Sequence, residues 1–218
     1  MKLIFIGPQG SGKGTQAQIL SKNLKIPHIS IGDALRNTSG RLKEKVQKYM
    51  NQGELVPDKL IIKILKEKIK ALEAKKGFIL DGFPRSFQQL GLLNQTTKID
   101  NIILIDISDR EAIKRISGRV NCEKCKANYN LITSPKPKKL DICDVCGGKL
   151  VQRKDDTEQA VKKRLEIYHK QISPILKEYS NKNKLIKING EQSIKKIAED
   201  IQEKLKSKNN IIKNLLFS

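Results

Sequence analysis

The sequence predicts an α/β domain: a five-stranded parallel sheet flanked by helices, with a small metal-stapled module inserted into it. Three observations carry that prediction. Short apolar runs alternate with helix-like stretches along most of the 218 residues, which is the signature of a parallel sheet. One run, Lys2 to Ile6, leads into a glycine-rich turn, Gly7-Pro8-Gln9-Gly10-Ser11-Gly12-Lys13-Gly14-Thr15, that opens a helix. All four cysteines, Cys122, Cys125, Cys143 and Cys146, fall in one pattern, C-x2-C, seventeen residues, C-x2-C.

Lys2 to Ile6 is short enough for a buried strand. Four glycines in the turn after it let backbone N–H groups converge on an anion, and the helix N-terminus adds about half a positive charge. Lys13 is expected to reach the outer phosphates of a nucleoside triphosphate. The general pattern sets Ser or Thr directly after that lysine to hold magnesium; here Gly14 intervenes before Thr15. Gln16 to Leu24 reads as helix and Ile26 to Ser30 as the second strand. Gly32-Asp33 opens the next helix with Asp33 as its N-cap and Arg36 in its first turn. Helices are expected over Arg41 to Asn51 and Asp58 to Lys75, joined by Gly53 to Pro57. In the second of these Leu60, Ile61, Ile64, Leu65 and Leu72 recur at helical spacing.

Gly77 to Leu80 is the third strand. Asp81-Gly82-Phe83-Pro84-Arg85 follows at its carboxyl end, where ligands bind in open α/β sheets. An acid there can meet the magnesium shell, and Arg85 can grip a phosphate. Asn101 to Ile105 is the fourth strand, with Asp109 capping a helix to about Gly118. From Arg119 to Arg153 the texture changes to cysteines, prolines and short alternating stretches. Such a unit cannot bury enough core alone, and a four-thiolate zinc site would supply about 10 kcal/mol of folding energy. Two disulfides or four free thiols are the competing readings. Thr157 to Asn181 resumes as a long helix, Leu185 to Ile188 is the fifth strand, and Ser193 to Lys206 is the last core helix. Residues 207–218 read as a basic-apolar tail, frayed or docked.

The formal charge of +21 suggests nucleic acid or an anionic membrane. The excess, however, is 36 lysines against 8 arginines, and the lysines are spread along the chain as a solvated surface. No run of eighteen apolar residues exists, and Met1-Lys2 leads straight into a strand, so a soluble cytoplasmic protein without signal or membrane anchor is expected. Arginine is the informative residue, because its planar fork is kept where bidentate phosphate recognition is needed. Arg36, Arg85, Arg115, Arg119, Arg153 and Arg164 stand beside the motifs, while Arg41 and Arg110 are expected to make surface ion pairs. His28 and His169 are expected to be structural.

Gly7 to Thr15, Ser30 to Arg36, Asp81 to Arg85, Gly118-Arg119, Arg153 to Asp156 and Val161 to Leu165 with Tyr168-His169, in this order and spacing, resemble an adenylate kinase of the long-lid, zinc-containing bacterial type over residues 1 to about 206. The resemblance implies a P-loop nucleoside monophosphate kinase that converts ATP and AMP into two ADP, with Mg2+ on the ATP and a structural Zn2+ in the lid. It implies a core of residues 1–29, 57–118 and 154–206, a monophosphate-binding segment 30–56, a lid 119–153 and a tail 207–218. Carried over, Gly10, Ser11, Gly12, Lys13, Gly14 and Thr15 cradle the ATP phosphates. Arg119 clamps them with Arg115 beside it, Asn128 and Tyr129 touch ATP from the lid, and Gln192 meets its base. Ile31, Arg36, Glu54, Leu55, Val56, Gly82, Phe83, Pro84, Arg85 and Gln89 match AMP contacts, and Arg153 with Arg164 bridge the phosphates in transfer. Cys122, Cys125, Cys143 and Cys146 match the zinc ligands. The chain departs from the family at Ile31, where a small hydroxyl residue is usual near the AMP base, so AMP preference leans on Gln89 and backbone contacts. The expected partners are ATP and AMP alone, with no nucleic acid or membrane, and the expected state is a monomer. A kinase for UMP or CMP is the nearest rival, but those relatives carry short lids. A nucleic-acid-binding zinc ribbon leaves the arginine set unexplained.

Overall fold

The computed structural model describes residues 1–69 and 77–216. In chain order the first half runs β1 (Lys2–Ile6), α1 (Lys13–Leu24), β2 (His28–Ser30), α2 (Ile31–Arg36), α3 (Gly40–Asn51), α4 (Asp58–Ile69), β3 (Phe78–Asp81), α5 (Phe87–Thr96), β4 (Asn101–Asp106) and α6 (Asp109–Ser117). The second half runs β5 (Arg119–Cys122), β6 (Asn128–Asn130), β7 (Leu150–Val151), α7 (Glu158–Asn181), β8 (Leu185–Asn189) and α8 (Ile194–Leu216).

The five core strands form one sheet in the order β2-β3-β1-β4-β8, every pair parallel. All five therefore release their carboxyl ends on the same edge. Alternation along β1 divides the core: Ile4 and Ile6 face a cluster built with α2, α4, α5 and α7, whereas Leu3 and Phe5 face α1 and α8. Ile102 and Leu104 of β4 repeat the first orientation, Ile103 and Ile105 the second. Side chains buried on both faces of a sheet are what a near-continuous apolar strand demands, and each such Ile or Leu contributes roughly 1.5–3 kcal/mol of burial. A third cluster, Ile107, Ala112, Ile116, Val161 and Leu165, ties α6 to α7.

Several boundaries differ from the sequence expectations. α1 starts at Lys13 rather than Gln16, so the lysine lies in its first turn. The cap of α2 is Ser30, whose side chain accepts from the Asp33 N–H, and Arg36 closes that helix instead of opening it. Ser108, not Asp109, caps α6 in the same way. α5, capped by Ser86, was not anticipated at all. The last helix does not stop at Lys206: α8 continues to Leu216. The end of the expected helix to Lys75, including Leu72, and the tail residues Phe217 and Ser218 lie outside the described residues.

Residues 119–153 hold a separate three-stranded antiparallel sheet, β6-β5-β7, around a small cluster of Val120, Cys122, Tyr129, Cys143 and Leu150. The end of the 30–56 segment abuts the start of α7. Gly53 has φ +71, and a Cβ built there would lie 2.7 Å from the Ala160 carbonyl oxygen. No described helix is long and apolar enough to cross a membrane.

Candidate active site

A cavity of about 570 Å³ opens at the carboxyl edge of the sheet. Its walls come from the glycine-rich turn, the 30–56 segment, the loop after β3, the strands of the 119–153 module, and α7.

Its floor is the turn between β1 and α1. Gly10 and Gly12 take φ +80 and +84, the left-handed region that glycine enters without steric cost. A Cβ at Gly10 would stand 2.9 Å from the Ala112 carbonyl oxygen. No side chain caps α1 and no acid occupies its first turn, so its N-terminal dipole is left to an external anion. Lys13 donates to the Pro8 carbonyl at 3.1 Å. Burial is the main reason its ammonium is held down to about 8; Asp81 opposes the shift, while Arg85, Arg119 and Arg153 add to it. Asp81 is buried, which alone would raise its pKa. The His28 imidazole beside it and the charges of Lys13 and Arg85 override that and lower it. The His28 Nε2 stands 3.6 Å from Asp81 Oδ2, while Asp81 Oδ1 and Ser11 Oγ are buried without a hydrogen-bond partner.

Six arginines reach this cavity: Arg36 from α2, Arg85 from the loop after β3, Arg115 from α6, Arg119 from β5, Arg153 from the loop after β7 and Arg164 from α7. Arg36 pairs with Asp33 at 3.1 Å and Asp155 at 3.3 Å. Arg164 donates to Asp155 and to the Met50 carbonyl, both at 2.8 Å. Arg119 donates to both carboxylate oxygens of Asp156. Arg115 pairs with Glu111 at 2.7 Å and donates to the carbonyls of Gly10 and Gly190, joining the turn to the end of β8. Arg85, open to the cleft, donates its Nε–H to the Gly82 carbonyl. Desolvation between the cleft walls, then repulsion from Arg164 and Arg36, lowers it to about 10. Arg153 donates to the side-chain oxygens of Asn121 at 2.5 Å and Asn128 at 3.1 Å. Burial, then Arg119 and Arg36, brings it to about 9, still cationic at neutral pH.

The remaining expected residues divide into two groups. Ser11, Gly14, Thr15, Ile31, Glu54, Leu55, Val56, Gly82, Pro84, Asn128, Tyr129 and Gln192 line the cavity, although the Glu54 carboxylate is paired with Lys163 at 2.8 Å. Phe83 and Gln89 do not line it. Phe83 is packed in the core, and the fully buried Gln89 accepts from the Arg85 N–H and donates to Asp58. Gln89 thus holds the Arg85 backbone from behind. Arg41 and Arg110 are exposed, and neither forms an ion pair among the described residues, contrary to expectation. His28 is half-buried against Asp81, and His169 pairs with Asp109 at 2.8 Å.

Sequence reasoning missed the acceptors. Asp155 and Asp156 are both buried, and between them they engage Arg36, Arg119 and Arg164. Burial acts to raise Asp155, but Arg36 and Arg164 outweigh it and hold it at about 2. The signal was present, since Asp155-Asp156 closes a motif whose arginine drew the attention. Asn121 carried no signal beyond its place beside Cys122.

The four cysteine sulfurs lie within 4.8 Å of one another. Cys122 and Cys146 approach to 3.4 Å, Cys125 and Cys143 to 3.5 Å, and all four are free thiols rather than disulfides. A tetrahedral zinc–thiolate site has sulfur–sulfur edges of ~3.8 Å, close to this arrangement. Each C-x2-C is curled by one backbone bond, Lys126 N–H to Cys122 and Gly147 N–H to Cys143. Burial acts to raise Cys143, but hydrogen bonds from the Tyr129 hydroxyl and the Cys146 and Val145 backbone lower it to about 6, toward the thiolate that a metal requires.

Residues 5–184 match the family model described as Adenylate kinase. Among curated relatives, the Adenylate kinase of Methanocella arvoryzae is 45% identical over 210 residues, covering 93% of this chain and 97% of the relative. That of Caldicellulosiruptor saccharolyticus is 43% identical over 215 residues, covering 95% and 98%. That of Syntrophomonas wolfei subsp. wolfei is 44% identical over 215 residues, covering 95% and 100%.

Proposed function

Since the chain belongs to the adenylate kinase family, we propose that it moves a phosphoryl group reversibly from ATP to AMP, giving two ADP, in the cavity above β1. The observation that carries this reading is the convergence of Lys13 and six arginines from separate segments on one cleft. Phosphoryl transfer asks little covalent chemistry of a protein; it asks for alignment, charge dispersal and exclusion of water.

In this reading Gly10 to Thr15 cradle the ATP phosphates, with Lys13, Arg115 and Arg119 as their cations. Asn128 and Tyr129 cover the nucleotide from the lid, and the Gln192 backbone meets its base. Ile31, Arg36, Glu54 to Val56, Gly82 to Arg85 and Gln89 form the AMP side, Phe83 and Gln89 acting through the wall they support. An AMP phosphate oxygen, already ionised, attacks the γ-phosphorus in line, so no protein nucleophile or general base is needed. Arg153 and Arg164 spread the charge of the group in flight. Thr15 and Asp81 would hold magnesium: both offer hard oxygen ligands, and Asp81 Oδ1 has no other partner. Magnesium supplies charge neutralisation on the phosphates. Cys122, Cys125, Cys143 and Cys146 would hold zinc, which supplies folding energy to the lid. Residues 119–153 act as that lid and 30–56 as the monophosphate segment, both closing on a core of 1–29, 57–118 and 154–206, with 207–218 as a tail. The enzyme works as a cytoplasmic monomer in adenine nucleotide homeostasis, without nucleic-acid or membrane partners.

The test is a coupled assay with ATP, magnesium and each of AMP, CMP, UMP and GMP. ADP formation with AMP at a rate well above the other three is the expected result. No ADP with any acceptor, or a preference for CMP or UMP, overturns it.

A further inference from the structure

Arg36, Arg119, Arg115 and Arg164 are each held by at least one carboxylate. Arg153 is held differently. Its Nε and Nη2 donate to two neutral amide oxygens, Asn121 Oδ1 at 2.5 Å and Asn128 Oδ1 at 3.1 Å, and the Asn121 amide nitrogen donates in turn to Asn128 Oδ1. Asn121 and Asn128 face each other across the β5–β6 ladder. Only Asn128 lines the cavity; Asn121 is buried behind it. Nη1 makes no hydrogen bond among the described residues.

A carboxylate partner fixes a guanidinium but also cancels part of its field. An amide oxygen can fix the same edge of the fork while leaving the full charge to act elsewhere. That distinction matters for a cation meant to act on charge that develops only in the transition state, where preorganised orientation is what lowers the barrier.

We propose that Asn121 is a positioning residue for the reaction: with Asn128 it forms an uncharged clamp that aims the Arg153 guanidinium at the transferring phosphoryl group. The proposal rests on the reading of Arg153 given above. It also explains why Arg153 can sit beside Arg119 and Arg36 without a carboxylate of its own. Asn121 contributes nothing to binding of either nucleotide in the ground state, because it does not reach the cavity.

The experiment is a kinetic cycle with Asn121→Leu, Arg153→Ala and the double variant, and Asn121→Asp as the conservative variant that keeps an acceptor for Nε. Melting temperature and zinc-to-protein ratio show that each lid is folded. Losing one hydrogen bond to a charged group corresponds to about a tenfold effect. Asn121→Leu should lower kcat by about that factor with the KM values for ATP and AMP little changed, and Asn121→Asp, which keeps the acceptor for Nε but adds a negative charge, should recover only part of it, whereas full recovery would show that the neutrality of the clamp does not matter. In the Arg153→Ala background Asn121→Leu should have no further effect on kcat. If Arg153→Ala turns over like wild type, the reading of Arg153 is wrong and the clamp falls with it. If Arg153→Ala is slow but a folded Asn121→Leu keeps wild-type kcat, or loses the same factor in both backgrounds, the clamp alone is overturned.

Discussion

Lys13 stands under two opposed demands in the proposed site: burial at the floor of the cleft, which disfavours its charge, and the phosphate proposed to meet it, which needs that charge. Its pKa of about 8 against an ordinary 10.5 fixes the consequences. Between pH 8 and 10.5 the unfolded chain keeps this proton and the folded chain does not, so folding is favoured as pH rises across that window. The apo protein should therefore gain stability from pH 8 to 10.5 relative to Lys13→Met, as measured by melting temperature. ATP affinity should move the other way and weaken above pH 8, by up to about tenfold per unit. Asp155 behaves oppositely. Held at about 2 by Arg36 and Arg164, it contributes roughly 2 kcal/mol above its ordinary pKa, and that is lost as pH falls through 3.8 toward 2. Asp155→Asn should flatten this acid limb in chemical denaturation and lower stability at pH 7 by roughly 2–4 kcal/mol, since two arginines lose their buried partner. Arg85→Ala should leave the melting temperature within a few degrees and reduce kcat by about 100-fold or more in the coupled assay, because its guanidinium faces the cleft rather than the core.

At the scale of elements, the four-cysteine module is the least self-sufficient part. Its cluster holds five buried residues, two of them cysteines, too little to order it alone. Removing metal with a chelator should unfold residues 119–153 while the parallel sheet persists, seen as a new low-temperature transition in calorimetry and loss of hydrogen-exchange protection confined to that module. The elements also show what a sequence can carry. Strands β1, β3 and β4 were the most legible, because each is an apolar run ended by Gly7, Asp81 or Asp106, and the cysteine pattern was legible because its spacing is local. Helix starts were less so: Ser30 and Ser108 each precede an acid that caps equally well on paper, and only backbone direction decides that the serine accepts. α5 offers little apolar periodicity to read, because Gln88, Gln89 and Gly91 interrupt it and the apolar Phe87 is exposed, and the basic-apolar end of α8 reads as a frayed or docked tail. In the cleft the donors stood out, since arginine is rare among 36 lysines. Their acceptors did not. Asp155 meets Arg36 across 119 positions and Asn121 meets Arg153 across 32, and no local pattern records such distances.

For the whole molecule, the site exists only where core, 30–56 segment and 119–153 module meet, so its ligands should stabilise all three together. ATP with magnesium and AMP, each at about 100 times its Kd, would contribute roughly 2.7 kcal/mol apiece. A single calorimetric transition shifted up by about 10–20 °C is expected, and a shift confined to one part of a split transition would contradict it. α7 is the member common to these parts. Its first turns send Lys163 to the Glu54 carboxylate and Arg164 to the Met50 carbonyl, while the loop before it carries Asp155 and Asp156. Where the 30–56 segment meets this helix, at Gly53, the obstacle is the main chain of Ala160 and not a side chain. A crowding side chain can be trimmed by a second substitution, but every residue has a carbonyl, so no change at position 160 makes room. Over evolutionary time the two surfaces are free to drift around that spot, yet Gly53 itself has no route to another residue that a suppressor could open.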